Sequence, residues 1–212
     1  MNGLSDKEVE LVITDIGEEK WGDGGIVTFS GRTVYPMNPT PDSIDIEDIA
    51  HALANTCRFS GHCSRFYSVA EHCVNVSLVV PDNLALIGLL HDSAEAYLTD
   101  IPRPIKPLLT GYKSAEDKLV QVIFDGLKTG LKLPIPKEIK EADNLLLALE
   151  QFELIPNVKY WPHILTAEQV NKYLEEHFEL TFGQEPEEAE ESFLRAYHYL
   201  TAYYEDVCRE NE

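Results

Sequence analysis

Residues 83–98 read Asn-Leu-Ala-Leu-Ile-Gly-Leu-Leu-His-Asp-Ser-Ala-Glu-Ala-Tyr-Leu. Leu84, Ile87, Ala94 and Leu98 recur at helical spacing, which predicts one helix across Asn83–Leu98. His91 falls on that apolar stripe, with Asp92 beside it. Glu95 lies four residues after His91 and three after Asp92, so it projects from the same side one turn on. An ionisable pair turned toward an apolar face is costly unless something satisfies it.

Working outward, two more helices repeat this pattern. Ser68 can cap a helix through about Val80, with Val69, Val76 and Val79 or Val80 as its stripe. His72 falls on it, three residues after Val69 and four before Val76. A further helix over Lys137–Leu154 has Ile139, Ala142, Leu146 and Leu149 on one face, with Asp143 next to it. A lone buried histidine is usually a hydrogen-bonded core residue, and a helix aspartate is usually solvated. Three helices each turning His or Asp inward argue for a shared cation. Two imidazoles and two carboxylates suit six-coordinate Mn, Fe, Co or Ni, with two positions left for water or substrate, and they can also hold Zn.

Cations flank this set. Arg58 and Arg65 precede His72; Arg103 and Lys106 follow Asp100 in a loop broken by Pro102, Pro104 and Pro107. Surface solvation explains any one of them. Phe59, Phe66 and Tyr67 are interleaved, suited either to the core or to stacking on a base.

The remaining chain extends the helical reading. Asp45 can cap a helix to about Asn55, with Ile46, Ile49, Ala50 and Leu53 on one face. Further helices are predicted at Tyr112–Leu127, Ala167–His177 and from Pro186 onward. In the last, Phe193, Tyr197, Leu200, Tyr204 and Val207 form a stripe that suits core packing or a dimer seam. The β-prone runs of Ile26–Tyr35 around Ser30-Gly31-Arg32 predict a small hairpin, and Pro36, Pro39 and Pro41 an irregular linker. The expected architecture is all-α: one domain over 1–212, with an N-terminal extension carrying the hairpin (1–45), a helical core (46–155) and a C-terminal helical extension (156–212).

Composition agrees. The chain has 212 residues and 23.9 kDa, 44% hydrophobic and 25% charged, enough to bury roughly 70% of its unfolded surface. With 17 Lys and Arg against 37 Asp and Glu, the net charge is −20. That field disfavours nucleic-acid polymers and anionic membranes, yet leaves room for a small anionic substrate held by local cations or a metal. No apolar run approaches the roughly 20 residues of a membrane span, and the acidic first twenty residues lack a signal core. The expected compartment is the cytoplasm. Cys57, Cys63, Cys73 and Cys208 lack CxxC pairing, so buried thiols are favoured over a zinc knuckle of Cys57, His62, Cys63 and Cys73. There is no HExxH, GxSxG or Walker loop, and Gly22-Asp23-Gly24-Gly25 reads as a plain turn.

The order His72 … His91-Asp92 … Asp143 resembles the HD-domain metal-dependent phosphohydrolases. The strings Ser-Val-Ala-Glu-His (68–72), His-Asp-Ser-Ala-Glu-Ala-Tyr-Leu-Thr-Asp-Ile-Pro-Arg-Pro-Ile-Lys (91–106) and Glu-Ala-Asp (141–143) are similar to those of bacterial deoxynucleoside 5′-monophosphatases and phage dATP and dNTP triphosphohydrolases. Phe29–Arg32, Asp48–His51 and Arg58–His62 are similar to the phage branch. The resemblance covers about residues 28–155. It implies an HD-type helical bundle, with His72, His91, Asp92 and Asp143 as ligands of a divalent transition metal (Mn, Co, Zn, Ni or Fe) and a second Mg or Mn ion accompanying substrate. Glu95 would orient or activate the attacking water, and Asp100 would assist near the leaving oxygen or the second ion. Arg58 and Lys106 would hold phosphate, and Phe59 would face the nucleobase. Ser60 and Gly61 are smaller than the residues the dATP-specific relatives carry there. The implied activity is dNTP triphosphohydrolysis releasing deoxynucleoside, with the chain as a homo-oligomer. A 5′-deoxynucleotidase, a hydrolase of alarmones or cyclic nucleotides, and a non-catalytic metal-stapled nucleotide-binding module remain alternatives.

Overall fold

A computed structural model of the chain describes residues 24–156 and 166–210. The acidic first twenty residues, the start of the Gly22–Gly25 turn, Pro162 and the side chains of Val207 and Cys208 lie outside the described residues.

The two predicted caps form. α1 (Ile46–Asn55) starts at Asp45, whose carboxylate accepts from the Glu47 N–H at 3.0 Å. α2 (Val69–Val79) starts at Ser68, whose hydroxyl accepts from the Glu71 N–H at 3.0 Å. Each side chain satisfies a donor that the first helical turn leaves free.

The helix expected across Asn83–Leu98 is not continuous. A 3₁₀ turn at Asp82–Leu84 precedes α3 (Ala85–Leu90), and α4 covers Glu95–Leu98. Between them N–H groups reach back three residues rather than four: Ser93 N to Leu90 O at 3.1 Å, Glu95 N to Asp92 O at 2.9 Å. The cause is local. The His91 ring nitrogen Nδ1 donates to the Gly88 carbonyl at 2.8 Å, competing for the acceptor that the Asp92 N–H would use in an unbroken helix. Periodicity alone cannot register that competition.

Beyond the Pro-rich loop come α5 (Tyr112–Gly126), α6 (Lys137–Leu154), α7 (Ala167–Glu176) and α8 (Pro186–Glu210). α5 stops beneath the loop that leads into α1. A Cβ on Gly126 would meet the Pro41 carbonyl oxygen at 2.6 Å, so only glycine allows this approach.

The hairpin pairs β1 (Ile26–Val27) with β2 (Thr33–Val34) in antiparallel register, Ile26 opposite Val34. Two strands are marginal alone, and α1 supplies the anchor. The Asp48 carboxylate accepts from Thr28 Oγ1 (2.7 Å), Ser30 N (2.7 Å) and Ser30 Oγ (2.8 Å). Phe29 stacks on His51 with ring centroids 3.8 Å apart.

α2 is the central helix, packed by α1, α3, α6 and α8. Val69, Ala70, Cys73 and Val76 are buried, and so are Glu71, His72, Asn75 and Ser77. A helix covered on so many sides must satisfy its polar groups internally. α8 supplies one of the covers: Ala189, Phe193, Tyr197 and Leu200 are buried against the bundle. That stripe is therefore core packing within the chain. Among the described residues the fold is all-α with a small hairpin, as expected, and no described helix is long and apolar enough to cross a membrane.

Candidate metal centre

The tightened turn after α3 and the middle of α2 bring His91, Asp92 and His72 together, one ligating atom of each lying within 4.8 Å of the others. Asp92 Oδ2 is 3.2 Å from His91 Nε2 and 3.8 Å from His72 Nε2. From α6, Asp143 Oδ1 comes within 3.5 Å of His72 Nε2. Three of the sequence-predicted quartet thus meet, and Asp143 stands beside His72. The second Asp143 oxygen is taken by Arg103, whose Nη2 donates at 2.8 Å.

The hydrogen bonds decide the tautomers. His72 Nδ1 meets the Glu150 carboxylate, and His91 Nδ1 meets the Gly88 carbonyl. Both partners only accept, so each Nδ1 carries a proton and Nε2 is the ring nitrogen turned toward the carboxylates. Burial acts downward on both imidazoles, but the carboxylates around them outweigh it and raise both pKa values. Both Nε2 atoms are buried without a hydrogen-bond partner. Each Nε2 faces carboxylate oxygens, a contact that a proton on the ring or a metal cation between the groups would satisfy. The donor set, two imidazole nitrogens and a carboxylate oxygen, could hold a metal ion, and the Nδ1 partners are those that ligating histidines commonly have.

A cavity of about 580 Å³ opens over this cluster. Asp92 and Asp143 line it, together with the other five predicted site residues: Arg58, Phe59, Glu95, Asp100 and Lys106. Its volume lies within the roughly 300–1,000 Å³ of small-molecule sites.

Local structure explains how these side chains arrive. A bridge between Cys57 and Ser68, with Arg58 N bonded to the Tyr67 carbonyl, closes the loop before α2. Within that loop Phe59, Ser60 and Gly61 have φ of 55°, 51° and 76°. Three successive left-handed residues are unusual for L-amino acids and turn the segment sharply at the cavity wall. Lys106 comes from the Pro-rich loop, and its Nζ donates to Glu95 Oε1 at 2.8 Å and Glu116 Oε1 at 3.1 Å.

Charges follow from burial and neighbours. Burial pushes the Glu95 carboxyl up to about 8, the Asp92 charge adds to this, and Lys106 opposes it. Burial likewise raises Asp100, with Arg58 pulling against it. For Asp92, burial acts upward, but His91, His72 and Arg58 outweigh it and hold the carboxyl below its usual range. The Arg58 pKa is raised, since the carboxylates around it, Glu150 foremost, outweigh burial.

Some residues singled out in the sequence stand elsewhere. Arg65 donates to the Phe182 carbonyl at 2.6 Å, which makes it a strut. His62 lines the cavity. Cys57 and Cys63 lie with sulfurs 3.6 Å apart, but among the described residues no metal-type group unites them with His62 and Cys73. Sequence reasoning missed Glu150, fully buried against His72, Arg58 and Tyr67. Its one signal was position: seven residues, or two turns, after Asp143 on the same helix face. It also missed Glu71, which accepts from Gly183 N (2.9 Å) and Gln184 N (3.0 Å) and so fixes the segment leading into α8.

No family model matches the chain. The uncharacterized protein YfdR of Escherichia coli K12 is 45% identical over 138 residues, which cover 65% of this chain and 76% of that protein. An uncharacterized protein of Rhodobacter capsulatus is 37% identical over 133 residues, covering 57% of this chain and 68% of its own length. With that identity over three quarters of its relative, the chain belongs to the family of YfdR.

Proposed function

We propose that the protein is a metal-dependent phosphohydrolase of HD type acting on deoxynucleotides, with a dNTP triphosphohydrolase favoured over a 5′-deoxynucleotidase. The observation that carries the reading is the pair of buried, unpartnered Nε2 atoms of His72 and His91 facing Asp92 at the floor of a cavity lined by cations. The motif strings at 68–72, 91–106 and 141–143 supply the reaction class by resemblance, and the similarity of 29–32 and 48–51 to the phage branch favours the triphosphate.

His72, His91, Asp92 and Asp143 would hold the ion, which when bound supplies a Lewis acid and an acidified water. Glu95 stands beside this cluster with Oε1 on Lys106 and Oε2 buried without a partner. That free oxygen is suited to accept a proton from the attacking water and to aim it at the α-phosphorus. Arg58 and Lys106 offset the negative charge that grows on the phosphoryl oxygens. The new bond joins water oxygen to phosphorus, and the P–O5′ bond breaks. The deoxynucleoside would leave as its alcohol after taking a proton, a role that suits Asp100, which lines the cavity. Phe59 and the apolar wall of Ile101, Leu147 and Ile155 suit a nucleobase.

The test is a product assay with each dNMP and dNTP, with Mn, Co or Mg and with chelator, on wild type and Asp92→Ala. Tripolyphosphate plus deoxynucleoside from a dNTP is expected, lost with chelator and in the variant. Orthophosphate from dNMPs alone would make the protein a 5′-nucleotidase. No metal-dependent product from any of them would sink the deoxynucleotide reading.

A further inference from the structure

Glu150 sits outside the cavity, one step behind it. It is fully buried on α6, and its two oxygens are divided between the two halves of the site. Oε1 accepts from the Tyr67 hydroxyl at 2.9 Å and from His72 Nδ1. Oε2 accepts from Arg58 Nη2 at 3.0 Å. Tyr67 is held in turn by Asn75, whose Nδ2 donates to its oxygen at 3.1 Å and to the Thr181 carbonyl at 2.7 Å. A buried carboxylate with this many donors is costly to build, and its cost is offset only by what it positions.

We propose that Glu150 is a positioning residue that holds the metal-facing histidine and the anion-facing arginine with one carboxylate. On the His72 side it holds a proton on Nδ1, so that Nε2 is the nitrogen offered to an ion and faces Asp92 and Asp143. On the Arg58 side it takes one Nη2 hydrogen and sets the plane of the guanidinium, whose Nη1 lies 3.9 Å from Asp92 Oδ2. The remaining guanidinium edge is left to the cavity and to an anionic group there. Ion and phosphate sites are thereby built from the same residue, and a change at 150 disturbs both. This inference rests on the metal centre described above.

Glu150→Gln is the informative variant because a carboxamide has a single acceptor end. It can serve the histidine or the arginine but not both, whichever way it is turned. The measurements are calorimetric titrations of the purified protein with Mn²⁺ alone, then of Mn²⁺-loaded protein with inorganic phosphate. A thermal melt of the metal-free protein shows that the variant is folded. A loss of about 10–100-fold in the affinity for Mn²⁺ or for phosphate is expected, the range seen when partners behind metal ligands are removed. A residue with only a structural role would lower the melting temperature and leave the folded protein's affinities alone. Both affinities within twofold of wild type would overturn the proposal. Should the Gln variant fail to melt cooperatively, the same titrations on Glu150→Asp decide, since that variant keeps the charge and withdraws it by one methylene. A wild type that takes up no Mn²⁺ would overturn the metal centre itself, whereas tight wild-type binding matched by the variant overturns only the role of Glu150.

Discussion

Glu95 and Glu150 are the same residue type with opposite surroundings. Glu150 has a donor for every oxygen; Glu95 keeps one oxygen unpaired and the other on Lys106. The first arrangement locks a geometry, and the second leaves an acceptor ready. On the proposed hydrolysis, Glu95→Gln should therefore cut turnover by about 10²–10⁴-fold while Mn²⁺ affinity changes by only a few-fold. Steady-state kinetics beside a metal titration would show this, and a parallel loss of both would make Glu95 a ligand instead. Glu95 was legible in the sequence because it follows His91 by one helical turn. Glu150 was not, since an acid on a helix reads as solvated until something is known to lie behind it. His72, His91 and Asp143 betrayed themselves by sitting on or beside apolar stripes. Their convergence on one point was not written in any one stripe.

At the scale of elements, the caps at Asp45 and Ser68 and the span of α6 followed from sequence because they depend on neighbours within one turn. The break at 91–94 did not, because it depends on a side chain taking a backbone acceptor. The hairpin is an intermediate case. Its strands were foreseen, but its attachment to Asp48 joins residues eighteen and twenty positions apart. Two of the three strings that resemble the phage branch, 29–32 and 48–51, touch each other. For Asp48, burial acts upward on the carboxyl, and bonds from Ser30 and Thr28 with the charge of Arg32 outweigh it, so the pKa is lowered from 3.8. A lowered folded-state pKa gives stabilisation that is present above the unfolded value, near 4, and lost as pH falls through the folded one. The hairpin should hold from neutral pH to about 4 and loosen below it. Amide exchange at Ser30 checks this; protection there unchanged down to pH 2 would remove Asp48 as the anchor.

For the molecule as a whole, the segment after residue 166 is part of the bundle rather than an appendage. α8 covers α1, α2 and α3, and Glu71, Asn75 and Arg65 tie residues 181–184 to the loop and helix that carry Arg58 and His72. The sequence showed the stripe of α8 but not what it covers, since a 3.6-residue period is silent about the partner. Phe193 is fully buried at that contact. Phe193→Ala should cost about 3–5 kcal/mol, read as a lowered denaturation midpoint with an unchanged slope. A change under about 1 kcal/mol would mean that α8 is only loosely attached.

The left-handed triplet at 59–61 has a consequence for how the pocket can vary. A Cβ added at Gly61 would meet nothing within 4 Å, so space is not what keeps that wall bare. The backbone angle is, at φ 76°, where a side chain would add a third strained residue to the turn that already holds Phe59 and Ser60. Growth of a side chain at 61 is thus opposed by a dihedral angle rather than by a neighbour. Leu147, inside α6, carries no such restriction, so the cavity lining is freer to change there.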